Sequence, residues 1–523
     1  MVRRDKKPRV FFVVDWITRG LGPKFVEPLG RAAVMVAART VAEPNRRMAM
    51  VSFWRSLGSC STRTLALIAL AGLLTPVAAR AADEPPMLDL PAGSLDLATV
   101  PLDIPGENLG PHTRAPEAPK TDKPEPVKPE DREWIGGKPY LEWSRLTGDW
   151  GGVRTTLEEA GLTLNASYTL DWAGVWSGGV TRRASTRHLI DVNLEGDLEK
   201  LMGIKGGRVF AWFQAVDSRD QIRFVGSAQS TTAAETGRNI QQLSELWWEQ
   251  NWFDGLIRTK VGKIDNVTEF GTIRAAALFT HSGGAAARTL LFQPTYPDPS
   301  LGAVVFVYPC ENFYAGAGLF DGSLSAGVFT GGQGPKSAFE GSENYWISEV
   351  GITWKGTECE LLKPFGSGRL AGGFWYLSGE LTRFDGTPSS NAEGGFVLFE
   401  QQIFRRDAKA ETDERGLFAF VHGGLVTPSV SAIDYSIAGG LTLRGTFEGR
   451  DDDAAGCMFS HAHLSNATGS TVSGSETAYE VFYQVQVTPA LTVRPYLQYI
   501  NEPSGNAPTG NATIGGLRVQ VTF

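Results

Sequence analysis

The feature that most constrains this chain is a side-chain period of two that recurs from about residue 145 and persists to the last residue. Over residues 162–171, Leu162, Leu164, Ala166, Tyr168 and Leu170 fall on one side, and Thr163, Asn165, Ser167, Thr169 and Asp171 on the other. Such alternation marks an extended strand whose two faces meet unlike surroundings. Residues 479–487 repeat it, with Tyr479, Val481, Tyr483, Val485 and Val487 against Glu480, Gln484 and Gln486, and only Phe482 out of phase. After a connection short enough for a hairpin turn, Leu491, Val493, Leu497 and Tyr499 oppose Thr492, Arg494 and Gln498. Segments 386–395 and 501–511, rich in Gly, Pro, Asn and Ser, are expected to be longer loops at the opposite end.

A soluble β-sandwich shares this period, with its apolar face turned inward. The last strand separates the two readings. It alternates Leu517, Val519, Val521 and Phe523 with Gly516, Arg518, Gln520 and Thr522, and the chain stops on the aromatic. A closed barrel has no free edge, so its final strand pairs with its first, and a terminal aromatic on the lipid face belongs at the interfacial girdle. The expected fold class is all-β, a transmembrane antiparallel β-barrel. A short capped helix over 155–158 precedes its first strand. A helical membrane protein is excluded, because the only sustained apolar run, 65–74, is far shorter than the ~20 residues a helical span needs.

Ahead of the periodic region the composition changes twice. Residues 48–81 carry Arg55 and Arg63, the apolar run, Pro76 and the small-residue sequence Ala79-Arg80-Ala81, the order of parts in a secretory signal peptide, with cleavage expected after Ala81. Residues 1–47 are then an extension ahead of a true start at Met48 or Met50. Residues 82–133 are Pro-rich and charged, a composition that does not bury enough surface to offset chain entropy, and read as a disordered periplasmic spacer. Residues 134–523 form the folded body. Of the 49 Lys plus Arg, 14 lie in residues 1–81, against 4 of the 57 Asp plus Glu. The exported part is therefore distinctly acidic, which argues against nucleic acid as a partner. The four cysteines lack any CxxC spacing and are too few for a disulfide scaffold.

Several stretches together resemble the carbohydrate-selective porins of the OprB family. Leu146-Thr147-Gly148-Asp149-Trp150-Gly151-Gly152-Val153-Arg154, followed by Leu157 and Gly161, is similar to that family's amino-terminal signature. Val261-Gly262-Lys263-Ile264-Asp265, the acidic turn Gly449-Arg450-Asp451-Asp452-Asp453 with Gly456, and the hairpin from Tyr483 to Ile500 resemble later family features in the same order. The resemblance covers about residues 141–523. It implies a barrel of about 16 strands in the bacterial outer membrane, admitting monosaccharides and related sugars by passive diffusion. Chain length would also fit 18 strands.

Sugar hydroxyls both donate and accept, so a selective constriction needs fixed Arg or Lys donors beside Asp, Glu or Gln acceptors. Parity selects Glu480, Gln484, Gln486, Arg494, Gln498 and Arg518 as lumen candidates. Glu245 and Glu249 share one face of a strand, and Arg258 and Lys260 share one face of the next, so opposite charges meet across a hairpin, either to orient a sugar or to stabilise the pair. Lys263 and Asp265 end that strand, just before a Gly- and Ala-rich segment, 270–302, long enough to fold into the lumen. Trp172, Trp176, Trp248 and Trp252 suit an interfacial girdle, whereas Trp247 lies in phase with Glu245 and Glu249 and is the better platform for a sugar ring. His461 and His463 lack a third metal ligand nearby, and Asp451–Asp453 read as a solvated turn. No cofactor, metal site or enzyme motif is expected. The expected partners are small sugars, outer-membrane lipids and the barrel-assembly machinery, the last through the strand ending at Phe523, with the protein a monomer or a trimer. The alternatives are a general or cation-preferring porin on the same barrel and, from another class, a secreted all-β enzyme acting on polysaccharides with Glu245 and Glu249 as its carboxylate pair.

Overall fold

The computed structural model describes residues 140–523 apart from 219–221, 291, 356–364, 408–412 and 506–508. The expected leader and spacer lie outside these residues. Sixteen strands are present among the described residues, and each pairs antiparallel with its sequence neighbours. They are β1 (Leu162–Ser177), β2 (Ala184–Asp197), β3 (Gly207–Ser218), β4 (Ile240–Trp252), β5 (Ile257–Ile264) and β6 (Ser300–Cys310). Next come β7 (Phe313–Asp321), β8 (Asn344–Trp354), β9 (Gly368–Thr382), β10 (Pro388–Arg405) and β11 (Gly416–Val426). The last are β12 (Ile433–Arg444), β13 (Ala454–Leu464), β14 (Gly474–Thr488), β15 (Leu491–Asn501) and β16 (Ala512–Thr522). The sheet closes where β16 meets β1, with Tyr168 opposite Val521 and Asp171 opposite Arg518. Phe523 donates its N–H to the Ala166 carbonyl at 2.8 Å, so the ladder runs to the last residue. Closure removes both free edges, a requirement for strands in hydrocarbon.

The alternation sorts as a membrane barrel demands. On β4 and β5 the outward Leu246, Trp248 and Val261 are exposed, while Glu245, Trp247, Glu249, Arg258 and Lys260 are buried. A bulge places both Ser244 and Glu245 inward, because β3 passes from Trp212 opposite Glu245 to Phe213 opposite Leu243. The extra residue lets Gln242 and Glu245 share the lumen face although their numbers differ in parity.

Helix α1 (Val153–Glu159) directly precedes β1. Its cap is supplied from outside 155–158: Asp149 Oδ1 accepts from the Thr155 N–H at 2.8 Å and from its hydroxyl at 2.7 Å. Gly152, at φ 96°, turns the chain into the helix in a conformation a Cβ would oppose. The Leu146 N–H reaches the Thr522 carbonyl at 2.8 Å and so ties the segment to the end of β16.

Two expectations need correction. Most of 386–395 belongs to β10, and the connection shrinks to 383–387, where Asp385 Oδ1 accepts from the Thr387 N–H at 2.9 Å. Turn-forming composition is overridden by the ladder to β9, and Pro388 stands at the first strand position, where its missing N–H is tolerated. The residues 451–453 are not a solvated turn throughout. Asp453 is 2 % exposed and accepts from Arg450 Nε at 2.7 Å, the Tyr483 hydroxyl at 2.8 Å and the Gln486 N–H at 2.9 Å, which locks the β12–β13 turn to β14.

Candidate functional site

The lumen is narrowed by two connections that fold inward. Residues 265–299, between β5 and β6, are fastened to inward side chains of distant strands. Glu480 takes the Thr280 N–H at 2.7 Å and the His281 N–H at 2.6 Å, while Glu400 takes that of Ala275 and Glu349 that of Gly271, each at 2.7 Å. Thr442 donates to the Ala275 carbonyl at 2.6 Å, and the Arg288 N–H reaches the Ser436 hydroxyl at 3.0 Å. The apolar side of this segment rests on an inward aromatic wall. Phe270 stacks on Phe306 at 5.1 Å, and Phe279 meets Phe482 edge-on at 4.9 Å. Phe482 broke the strand's phase in sequence because its partner is this in-folded segment.

The second inward connection, 222–239 between β3 and β4, has no counterpart in the sequence reading. Glu476 accepts from the Ala228 N–H at 2.6 Å, the Ser227 hydroxyl at 2.8 Å and the Gln229 N–H at 2.9 Å. The two segments also bond to each other, through the Ala233 N–H to the Thr280 carbonyl at 2.7 Å and the Ser282 N–H to the Ser230 carbonyl at 3.1 Å.

Beside them, four neighbouring strands set charged side chains in one row. Arg494 on β15 stands opposite Arg518 on β16, Arg518 opposite Asp171 on β1, and Asp171 opposite Arg187 on β2. Asp171 binds Arg518 at 3.1 Å, Arg187 at 3.3 Å, the Tyr496 hydroxyl at 2.9 Å and the Thr232 hydroxyl at 3.0 Å. Arg187 lies 3.8 Å from Glu235 on the second inward segment. Arginine forks and carboxylates at one level offer the paired donors and acceptors that a polyol needs.

Of the residues singled out in sequence, only Arg494 and Arg518 belong to this row. Glu480 and Gln498 are occupied as anchors: the Gln498 amide donates to Glu480 at 2.9 Å and to the Thr231 carbonyl at 2.7 Å. Glu249, Arg258 and Lys260 close a buried cluster with Glu269. Arg258 binds Glu249 at 2.8 Å, Lys260 lies 3.7 Å from Glu249, and both cations contact Glu269. Burial alone would raise the Glu269 carboxyl, but Arg258 and Lys260 outweigh it and hold the group down at about 2. Trp247 offers no open platform, since Phe210 stacks on it at 4.9 Å and the Lys260 ammonium sits 3.9 Å from its ring centre. Its indole N–H donates to Glu245 at 3.1 Å, and Glu245 also accepts from the Asp265 N–H at 3.1 Å. Asp265 clamps both ends of the first inward segment, accepting from Val267 N–H at 3.1 Å, the Thr295 hydroxyl at 2.6 Å and Tyr296 N–H at 3.1 Å. Lys263, beyond Gly262, donates to the carbonyls of Leu243 at 2.9 Å, Gln333 at 3.4 Å and Gly331, and so straps the β7–β8 connection to the wall. Gln486 caps its own turn through the Thr488 carbonyl at 2.8 Å. Gln484 lines a pocket at the end of the barrel where the chain enters β1.

Residues missed in sequence divide by origin. Arg187 lies on a strand and parity was available to find it, as it placed Asp171 on a polar face. Thr232, Glu235 and Glu269 come from segments without periodicity, and no local signal marks them. Burial, reinforced by nearby Arg288, pushes the His281 imidazole down to about 3, so it stays neutral and accepts from the Gly283 N–H at 3.1 Å. His461 and His463 bond to Thr477 at 2.8 Å and Asp434 at 2.6 Å, and no cluster of three metal-ligating side chains occurs among the described residues.

A family model described as "Carbohydrate-selective porin, OprB family" matches residues 181–523. The chain belongs to the OprB family. It is 24 % identical to Porin B of Pseudomonas aeruginosa over 74 % of its own length and 92 % of that protein's. It is 21 % identical to the putative porin QuiX of Acinetobacter baylyi, over 75 % and 94 % of the two chains. The high-pH structure of Pseudomonas putida OprB superposes with a TM-score of 0.65 at 21 % identity, covering 74 % of this chain and all of that one, a likeness of fold. Membership and the closed barrel make this OprB-family protein an outer-membrane sugar porin, and both point to a channel rather than an enzyme.

Proposed function

We propose that the row Arg494, Arg518, Asp171 and Arg187, with Glu235 across from it, is the selective constriction. Monosaccharides and related sugars move through it down their gradient. The observation that carries this reading is the shared register of three guanidinium groups and one carboxylate on four adjacent strands. Asp171 fixes the forks of Arg518 and Arg187, and Glu235 holds Arg187 from across the row, before a sugar arrives, so hydroxyls exchange water for preorganised partners. Three cations against two carboxylates also disfavour the cation-preferring alternative, because the field at the narrowest point governs permeation more than the acidic net charge. The secreted-enzyme alternative fails on occupancy: Glu249 is ion-paired and Glu245 is held by two N–H donors.

The remaining parts of the proposal concern passage and export. No reaction accompanies transit. The 48–81 leader is removed after Ala81, 82–133 serves as a periplasmic spacer, and the assembly machinery reads the strand ending at Phe523. The outward apolar faces contact outer-membrane lipid, and the barrel works as a monomer or as each member of a trimer. Liposome swelling with a panel of sugars and amino acids tests the central claim. Faster swelling in glucose than in amino acids of similar size is expected, and equal rates would overturn it. Sequencing the amino terminus of protein extracted from outer membrane tests the cleavage site.

A further inference from the structure

Away from the constriction, a pocket of about 320 Å³ opens between the first inward segment, the turn ahead of β11 and the wall formed by β12–β14. This is the end of the barrel that carries α1 and both chain ends of the sheet, the periplasmic end of an outer-membrane barrel. The volume lies at the small end of the range for small-molecule sites, ~300–1,000 Å³. Its floor is apolar, made by Ala277 and Leu278 of the inward segment and Ala454 at the start of β13. Its rim is polar and of both signs with an acidic excess, Arg444 and Arg415 standing beside Glu414, Asp451, Asp452 and Asp453, with Gln484.

The rim is built rather than loose. Arg444 is aimed by the Phe418 ring, 5.1 Å beneath its guanidinium, by the Arg274 carbonyl at 3.4 Å and by an ion pair with Glu414 at 3.6 Å. The two turns beside the pocket are cross-linked by Arg406 to Asp451 at 2.9 Å and Arg415 to Asp451 at 3.4 Å. Buried Asp453, with its bonds to Arg450, Tyr483 and the Gln486 N–H, fixes the β13–β14 side of the wall. The Gln484 amide makes no side-chain hydrogen bond among the described residues, and so keeps both a donor and an acceptor for a ligand.

We propose that this pocket is a second sugar subsite, at the periplasmic exit, which holds one monosaccharide with its C–H face on Ala277, Leu278 and Ala454 and its hydroxyls on Gln484, Arg444 and Asp452. The inference rests on the sugar-porin reading above and adds a station in series with the constriction. An apolar floor with a polar, two-signed rim matches a pyranose, which presents axial C–H faces and an equatorial belt of hydroxyls. A generic wet wall would need neither the floor nor the fixed guanidinium.

The test is planar-bilayer recording of the full-length protein with D-glucose added to one side at a time. Orientation is assigned by adding trypsin to each side in turn. Gln484→Ala removes the amide, and Gln484→Trp fills the space; heat-modifiable gel migration verifies that each variant is a folded barrel. Glucose-induced current fluctuation from the periplasmic side is expected to weaken about tenfold in Gln484→Ala and to vanish in Gln484→Trp. Asp452→Asn, in an exposed turn, is expected to weaken it severalfold. Periplasmic-side fluctuation unchanged in all three variants, with glucose still crossing in liposome swelling, overturns the exit subsite and leaves the constriction reading standing. No glucose flux through the wild-type barrel would overturn the constriction reading and the subsite together.

Discussion

Replacing Glu480 by Ala tests whether the first inward segment is held by its anchors. The wild-type carboxylate, 1 % exposed, accepts the Thr280 N–H at 2.7 Å, the His281 N–H at 2.6 Å and the Gln498 amide at 2.9 Å. Hydrogen bonds to a charged group contribute roughly 1.5–3 kcal/mol each, and the stranded donors add a desolvation cost unless water enters. With water partly replacing them, the net loss is about 4 kcal/mol, equivalent to roughly a thousandfold shift in the local docked-to-undocked ratio. The anchors at Glu349, Glu400 and Thr442 persist, so loosening should be confined to the part near residues 280–288, which then keeps only the single bonds of Ser436 to Arg288 and His422 to Gly283 as strand anchors. Arg288, 8 % exposed in the docked segment, then becomes a trypsin site. The expected result is cleavage after Arg288 in Glu480→Ala but not in wild type, with a larger and noisier single-channel conductance. Glu480→Gln, which keeps one acceptor oxygen, should fall between. Equal trypsin resistance and equal conductance in Glu480→Ala and wild type would refute the assignment of Glu480 as the anchor.

Three further outcomes are expected. Glu269, held at about 2 against an ordinary 4.5, contributes docking stability that is complete above pH 4.5 and is lost as pH falls through about 2. Protease protection of the inward segment should therefore decline in that window, and Glu269→Gln should flatten the decline; a pH-independent wild type would contradict the cluster. Leu246→Arg, on an outward mid-strand position, should cost about 2–4 kcal/mol in bilayer stability, read from denaturant unfolding in liposomes, and no change would place Leu246 away from hydrocarbon. Arg494→Ala should change the rate of glucose swelling at least severalfold and shift ion selectivity toward cations while leaving heat-modifiable migration intact; unaltered flux would assign Arg494 to the generic wall.

The sequence by itself determined the barrel. Alternation at Leu162–Asp171 and from Gly515 to Phe523 sorts every side chain to lipid or lumen, because a strand between two unlike solvents has no other way to satisfy both faces. It also placed Arg494 and Arg518 on the lumen side, and Glu249, Arg258 and Lys260 with them. Only the tertiary structure decided which of these are spent on anchoring the inward segments and which form the charged row. Glu480 and Gln498 look the same as Arg494 in sequence, yet they are occupied by residues 199–200 and 267 positions away along the chain. Trp247 is closed by Phe210 and Lys260, and Phe482 turns inward to meet Phe279. Local pattern fixes the face a side chain occupies, because the strand imposes its own period. What that face touches depends on where two aperiodic segments fold back into the lumen, and that is set by hydrogen bonds and ring contacts between parts of the chain that no window of sequence brings together.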